Sequence, residues 1–266
     1  MTSPEQDQNR PLALESARIL VTNDDGVQAP GIAVLERLAR QLSDDVWVVA
    51  PETEQSATSH SLTVRRPLRL RQLEDRRFSV DGTPTDSVVV GVGKVLKDRK
   101  PDLVLSGINQ GANLGEDVIY SGTVAAAMEA ALLGLPAIAV SLVRRGDHDY
   151  RWATAERVVP EVVRKICAGG FHRDMLVNVN VPDRQPEAVQ GIRVCRQGRR
   201  DVETEVVEGV DPGGRPYIWI GDYMVDRSKD PATDLAAVRE GFVSVTPLHF
   251  DLTAHARLRA LEAALR

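Results

Sequence analysis

Cysteine is scarce. Cys167 and Cys195 are the only two in 266 residues. They are too few for a disulfide framework and are not spaced as a zinc motif. A reducing compartment, the cytoplasm, is the expected home. No apolar run is long enough to span a membrane, so no membrane partner is expected. The first residues, MTSPEQDQNRPLALESAR, lack the apolar segment of a signal peptide. Strong charge of one sign is also missing. The net charge is -5, from 33 basic and 38 acidic residues. No generic nucleic-acid surface, and no stable nucleic-acid partner, is therefore expected. There is no internal repeat and no extended low-complexity segment.

Several catalytic signatures are lacking too. No GxGxxG follows the first apolar run, which argues against a dinucleotide-binding protein. GVGK at Gly91 to Lys94 resembles a phosphate loop, but the earlier glycine that loop requires would fall at Val88. His60, His148, His172, His249 and His255 form no HExxH pair. No GxSxG nucleophile elbow is present.

What is present is a hydrophobic content of 42%, enough for a substantial core, arranged with α/β periodicity. Ile19-Leu20-Val21 is an apolar run. Pro30 suits the first turn of a helix, and Ile32, Leu35, Leu38 and Leu42 recur at helical spacing. Val46-Trp47-Val48-Val49 follows and is stopped by Pro51. That order predicts a parallel βαβ unit. Further strands are expected at Phe78 to Val80, Asp102 to Ser106, Pro136 to Ser141 and Leu176 to Val181. Helices are expected from Asp86 to Lys97 with Thr85 as cap, from Thr123 to Leu133 with Gly134 as stop, and from Trp152 to Ala168. Beyond Pro182 the segments GIRVCRQ, VETEVVE and YIWIGDY predict antiparallel hairpins outside the first sheet. A helix at Ala236 to Glu240, a strand at Phe242 to Val245 and a terminal helix at Ala254 to Arg266 complete the chain. The expectation is a Rossmann-like α/β fold, its mostly parallel sheet flanked by helices, with C-terminal hairpin extensions. Residues 1–16 are expected to be a mobile extension, 17–266 the folded domain, and about 191–234 a hairpin-rich segment.

The first apolar run stops abruptly at Asn23-Asp24-Asp25-Gly26. Asn, Asp and Gly are ordinary turn formers. Two adjacent carboxylates nevertheless repel by roughly 4 kcal/mol at ~4 Å near a protein surface, so something should compensate. In open parallel sheets ligands bind beyond the carboxyl ends of the strands, where Asp24 and Asp25 stand. A second polar loop there holds Ser56, Thr58, Ser59 and His60, and a third holds Ser106, Asn109 and Asn113. These groups are mostly oxygen donors, which hard divalent cations such as Mg²⁺ or Mn²⁺ prefer. A cation would also offset the acid repulsion. Ser121-Gly122-Thr123 precedes an alanine-rich helix and suits either an anion at a helix start or an ordinary N-cap.

Taken in order, these motifs resemble the SurE family, the survival-protein nucleotidases. The resemblance rests on NDDG at Asn23 to Gly26, APG at Ala29 to Gly31, Ser56 with SLT at Ser61 to Thr63, and GTPTD at Gly82 to Asp86. It rests also on SGIN at Ser106 to Asn109, GxNxG at Gly111 to Gly115, YSGTVAAAMEA at Tyr120 to Ala130 and TPLHFDLT at Thr246 to Thr253. It covers nearly all the chain after about Arg18. His60 stands where the family often carries Asn, and Ala232 replaces a usual Gly. The resemblance implies a metal-dependent phosphatase of the 5'-nucleotidase type, acting on nucleoside monophosphates. One divalent ion per subunit is expected, Mg²⁺ or Mn²⁺, held by Asp24, Asp25, Ser56 and Asn109. It also implies a homodimer or homotetramer with exchanged C-terminal hairpins. Donors at Ser106, Asn113, Ser121, Gly122 and Thr123 are expected to hold the other phosphate oxygens. Asp24 or Asp25 would orient the attacking water, and attack by an aspartate itself stays open. The rival reading is a receiver-like, Mg²⁺-binding signalling module. That module would need a phosphoacceptor Asp where Asn109 stands, and a Lys after a later strand.

Overall fold

The computed structural model describes residues 11–172, 175–202, 206–220, 224–225 and 230–266. The first strand, β1 (Arg18–Thr22), is buried on both faces. Its side chains alternate between two apolar layers, as the two-residue repeat of a strand requires. Ile19 and Val21 join the layer that holds Ile32, Leu35, Val159 and Val163. Leu20 joins the layer that holds Val49, Val80, Val104 and Val124. Full burial of such a side chain contributes about 1.5–3 kcal/mol, so the two layers fix the position of β1 firmly.

Helix α1 (Pro30–Ala39) starts with Pro30 in its first turn and buries Ile32, Leu35 and Leu38. It leads to β2 (Asp45–Pro51), which pairs parallel with β1 from Arg18↔Asp45 to Val21↔Val48. The exposed strand β3 (Leu70–Glu74) pairs antiparallel with β4 (Arg77–Val80). Helix α2 (Pro84–Val90) follows and widens into a single π-turn over Gly91–Val95. Strand β5 (Leu103–Gln110) lies against the other side of β1, with Thr22 opposite Ser106. The short α3 (Asp117–Tyr120) and α4 (Gly122–Leu132) precede β6 (Ala137–Leu142), and α5 (Trp152–Gly169) precedes β7 (Met175–Val181). Then come β8 (Ile192–Val194), β9 (Asp201–Val202), β10 (Val206–Val210), β11 (Pro216–Ile220), β12 (Met224–Val225), α6 (Asp234–Arg239), β13 (Val243–His249) and α7 (Leu258–Ala264).

Among the described residues the main sheet has nine strands, in the order β3-β4-β2-β1-β5-β6-β7-β13-β8. It is parallel except at β3/β4 and β7/β13. From β1 the chain moves outward to β2 on one side, and later from β5 to β6 and β7 on the other. This reversal opens a crevice beyond the adjacent carboxyl ends of β1 and β5. No helix among the described residues is long and apolar enough to cross a membrane.

Several expectations change. The cap of α2 is Thr83, not Thr85. The Thr83 hydroxyl accepts the Asp86 N–H, while Asp86 accepts the Thr83 N–H, a reciprocal capping box with Pro84 in the first turn. Thr85 is buried inside that turn. The GIRVCRQ segment does not form an outside hairpin, because β8 extends the main sheet parallel to β13. The outside hairpins are β10–β11 and the short pair β9–β12. Of the expected extension, residues 1–10 lie outside the described residues. Leu14 is buried in the core, and the Leu12 N–H donates to the Cys167 carbonyl at 3.0 Å.

Gly31 sets how closely α1 approaches β5. A Cβ there would lie 2.0 Å from the Ile108 carbonyl oxygen, a backbone atom. The helix-propensity gain from Gly31→Ala, up to about 1 kcal/mol, is therefore outweighed by the overlap. The variant should lose about 2 kcal/mol or more of stability in urea unfolding. An unchanged midpoint would show that α1 does not sit against β5 in this way.

Candidate active site

The turn after β1 is built before any ligand is considered. The buried Asn23 side chain donates from Nδ2 to the Gly26 carbonyl at 2.9 Å. The Val27 N–H reaches the Pro51 carbonyl at 2.8 Å, and the Gln55 N–H reaches the Asp24 carbonyl at 2.8 Å. Those two bonds tie the loop after β2 to the loop after β1. The carboxylates of Asp24 and Asp25 then have little freedom.

Asp24 is only 5% exposed. Its Oδ1 accepts a hydrogen bond from the Thr123 hydroxyl at the start of α4. Burial pushes its carboxyl upward, and the hydrogen bonds from Thr123 oppose the shift. Asp25 is half-buried and accepts the Gln110 N–H at 3.2 Å. Burial first, and then the charge of Asp24, push its carboxyl up to about 6. Glycine at position 122 is a steric requirement. A Cβ there would lie 2.7 Å from the Asp24 Cβ and 3.0 Å from the Pro84 ring.

Asp24 and Asp25 line a cavity of about 440 Å³, together with Ser56, Asn109, Asn113 and Ser121. Thus the three strand-edge loops and the start of α4 meet there. The Ser56 hydroxyl donates to Glu54 at 2.6 Å, and Glu54 also lines the cavity. Asn109 donates from Nδ2 to the Gly111 carbonyl at 3.0 Å, which leaves Oδ1 as its acceptor. Asn113 is held on both sides of its backbone. Its N–H donates to Asn180 Oδ1 at 2.8 Å, and its carbonyl accepts from Asn178 at 2.8 Å and from Asn180 at 3.0 Å.

The expected phosphate contacts are redistributed. Ser106 is fully buried on β5, its hydroxyl has no partner among the described residues, and it does not line the cavity. The Ser121 hydroxyl accepts the Val124 N–H at 3.0 Å as the N-cap of α4, although the residue also lines the cavity. Gly122 and Thr123 lie against Asp24, outside the lining. The anion at the start of α4 is thus the Asp24 carboxylate. His60 pairs with Glu129 at 2.9 Å and is likewise outside the lining.

Glu54, Gln110, Asp117, Tyr120 and Tyr150 are cavity residues that sequence reasoning missed. Glu54 carried a signal, two residues before Ser56 in the same polar loop. Tyr150 carried none. Among the described residues no lysine lines the cavity, and Asn109 occupies the position a receiver module gives to its phosphoacceptor. Among the described residues no three His, Cys, Asp or Glu side chains gather around one metal position. The donor set is instead two carboxylates supplemented by neutral oxygens. That composition fits a hard cation which keeps several waters.

The family model "Survival protein SurE" matches residues 19–204. A protein from Paramagnetospirillum magneticum named 5'-nucleotidase SurE is 58% identical over 249 residues, 94% of this chain and 96% of that protein. One of the same name from Erythrobacter litoralis is 51% identical over 92% of this chain and 98% of its own. The crystal structure of the SurE protein from Aquifex aeolicus superposes with a TM-score of 0.82 at 41% identity, covering 94% of this chain and 100% of that one. The family-model match spans every residue that lines the cavity, from Asp24 to Tyr150, and the chain belongs to the SurE family.

Proposed function

We propose that this chain is a metal-dependent phosphomonoesterase of the 5'-nucleotidase type, hydrolysing nucleoside monophosphates to nucleoside and inorganic phosphate. The observation that carries this reading is the Asp24–Asp25 pair, one acid buried and the other half-buried, on the wall of a cavity of about 440 Å³ at the sheet's switch point. The relatives named 5'-nucleotidase support the substrate class.

Asp24, Asp25, Ser56 and Asn109 hold one divalent cation per subunit, Mg²⁺ or Mn²⁺. When bound, that ion neutralises charge on the phosphoryl oxygens as the P–O bond breaks. Each acid gives one oxygen to a protein donor, but Asp24 is almost fully buried and Asp25 only half-buried, so Asp25 is the carboxylate better placed to orient the attacking water. Asn113 and Ser121 are the residues we assign to the remaining phosphate oxygens, supported by their position on the cavity wall, with Gly122 and Thr123 against Asp24 behind them. A reducing cytoplasmic setting is supported by Cys167 and Cys195, which are both free and buried.

The protein works as a homodimer or homotetramer. Hairpin β10–β11 exposes Ile218, Ile220 and Trp219, the last at 67%. An apolar ribbon of that kind calls for cover, and a second copy of this chain supplies it.

Asp24→Asn and Asp25→Asn should each reduce turnover by on the order of 100-fold or more, the scale of losing a positioned charge-stabilising group. Asn109→Ala and Ser56→Ala should be milder, since each removes a neutral ligand. Chelator should abolish phosphate release, and added Mg²⁺ or Mn²⁺ should restore it. Near wild-type rates in both aspartate variants without added metal would remove the assignment.

The acid pair also sets a pH dependence of stability. Asp25 is raised from 3.8 to about 6 in the folded chain. Between those values the folded state holds a proton that the unfolded state has released. Metal-free stability therefore falls as pH rises through that window. In chelator at about pH 7.5, Asp25→Asn should unfold at higher urea than wild type, and the gap should close toward about pH 4. Added Mn²⁺ should narrow the gap by stabilising wild type alone. A variant weaker than wild type at both pH values would contradict the strain.

For assembly, light scattering at micromolar concentration should give a dimer or tetramer. Trp219→Asp combined with Ile220→Asp should shift it toward monomer, and a monomeric wild type would rule the assembly out.

A further inference from the structure

The phosphoesterase reading accounts for the acidic and amide-lined part of the cavity but not for its size or its aromatic part. At about 440 Å³ the space exceeds what a phosphoryl group and its cation occupy. Tyr120, Tyr150, Ala57 and Ala112 add apolar wall to the same cavity, and Gln110 adds an amide.

The chain around Tyr120 places that residue with care. Tyr120 ends α3, and Ser121, the N-cap of α4, follows directly. Three residues on, Thr123 holds Asp24. On the other side, the Tyr120 carbonyl accepts the Ser59 N–H at 3.1 Å, and the Ser59 hydroxyl donates to the Ile119 carbonyl at 2.8 Å. The residue is therefore fixed relative to the acid pair through two separate loops. The residue is nevertheless 46% exposed and lines the cavity that holds the acid pair.

Tyr150 comes from the loop after β6. The Arg144 guanidinium lies 4.8 Å from its ring centroid, and the Trp152 ring lies 5.6 Å away at 36°. These neighbours brace the Tyr150 ring. The side-chain amide of Gln110 makes no hydrogen bond among the described residues, while its backbone N–H serves Asp25. It remains able to donate and accept at a heterocycle edge.

We infer that Tyr120, with Tyr150 as the braced second wall, forms the subsite for the nucleobase of the substrate. The inference rests on the phosphoesterase reading and names what distinguishes a nucleotide from any other phosphomonoester. Stacking reads the flat face that every base has, so this subsite favours nucleotides over base-free esters while tolerating purines and pyrimidines. Gln110 can bond either kind of edge and adds only a modest preference.

The test compares hydrolysis of adenosine 5'-monophosphate, uridine 5'-monophosphate and ribose 5-phosphate by the full-length protein with Mn²⁺. Wild type should prefer both nucleotides to ribose 5-phosphate by about tenfold or more in kcat/KM, the scale of one stacking contact. Tyr120→Ala should lose most of that preference, chiefly through KM, with a change within about twofold on ribose 5-phosphate. Tyr120→Phe keeps the ring and should keep the low nucleotide KM. Tyr150→Ala should act in the same direction, and it supplies the measurement if Tyr120→Ala does not fold. Equal losses on all three substrates, or a wild type that shows no preference for the nucleotides, overturns the subsite and leaves the phosphoesterase intact. A wild type that releases phosphate from none of them overturns the reading on which the subsite rests.

Discussion

Two carboxylates on consecutive residues, one buried and one half-buried, are held together at the end of β1, and much of the surrounding structure follows from that constraint. Charging both costs energy that a turn in solvent would not incur. The fold meets part of the cost with donors. Thr123 bonds one acid and the Gln110 N–H bonds the other. It meets the rest by anchoring β1 so well that the turn cannot open. Leu20, Ile19 and Val21 are fully buried in two opposed layers, and a few such side chains outweigh a repulsion of roughly 4 kcal/mol. The acid pair is thus a strained element held by a strong one, as sites built for ligands often are.

The same constraint explains why distant parts of the chain converge. The Asp24 carbonyl receives Gln55 from the loop after β2. Its carboxylate receives Thr123 from α4. The loop that carries Asn113 is clamped from β7 by Asn178 and Asn180. Farther along the same loop, the fully buried Asp234 accepts the N–H groups of Gly115 and Gly198 at 3.0 and 2.8 Å. Arg200 donates to the Leu114 carbonyl at 3.0 Å and to Asp117 at 2.6 Å. The C-terminal third is therefore more than an appendage for assembly. It forms the back wall that keeps the glycine-rich loop against the cavity.

The parts legible in sequence were those whose physics is local. Pro30 followed by apolar residues at helical spacing marked α1, and the apolar run Ile19-Leu20-Val21, stopped at Asn23, marked β1. The acid pair stood out because its cost is visible in two adjacent letters. Ser106 misled, because a serine near a strand end reads as a loop donor. Its register beside Thr22 instead turns it inward with Val104. Thr85 misled for a similar reason, since the reciprocal bonds between Thr83 and Asp86 decide the cap. Strand β3 was silent, because an exposed edge strand needs no apolar pattern. Tyr150, Asp234 and the clamp on Asn113 depend on contacts between segments far apart in the chain, and no short window contains them.

The electrostatics of the assembled cavity bear on why a cation is needed at all. Asp24, Asp25, Glu54 and Asp117 line it, and among the described residues no lysine or arginine does. Arg200 neutralises Asp117 from behind, which leaves three acids facing the space. The positive end of α4, where a phosphate would otherwise find N–H donors, is already taken by Asp24. A phosphomonoester dianion approaching the bare protein would meet like charge and only neutral donors. A divalent cation held by Asp24 and Asp25 would relieve the repulsion between the acids and reverse the sign of the field the substrate meets. Metal binding and substrate binding would then be coupled through Asp24 and Asp25, so tighter binding of one would favour the other.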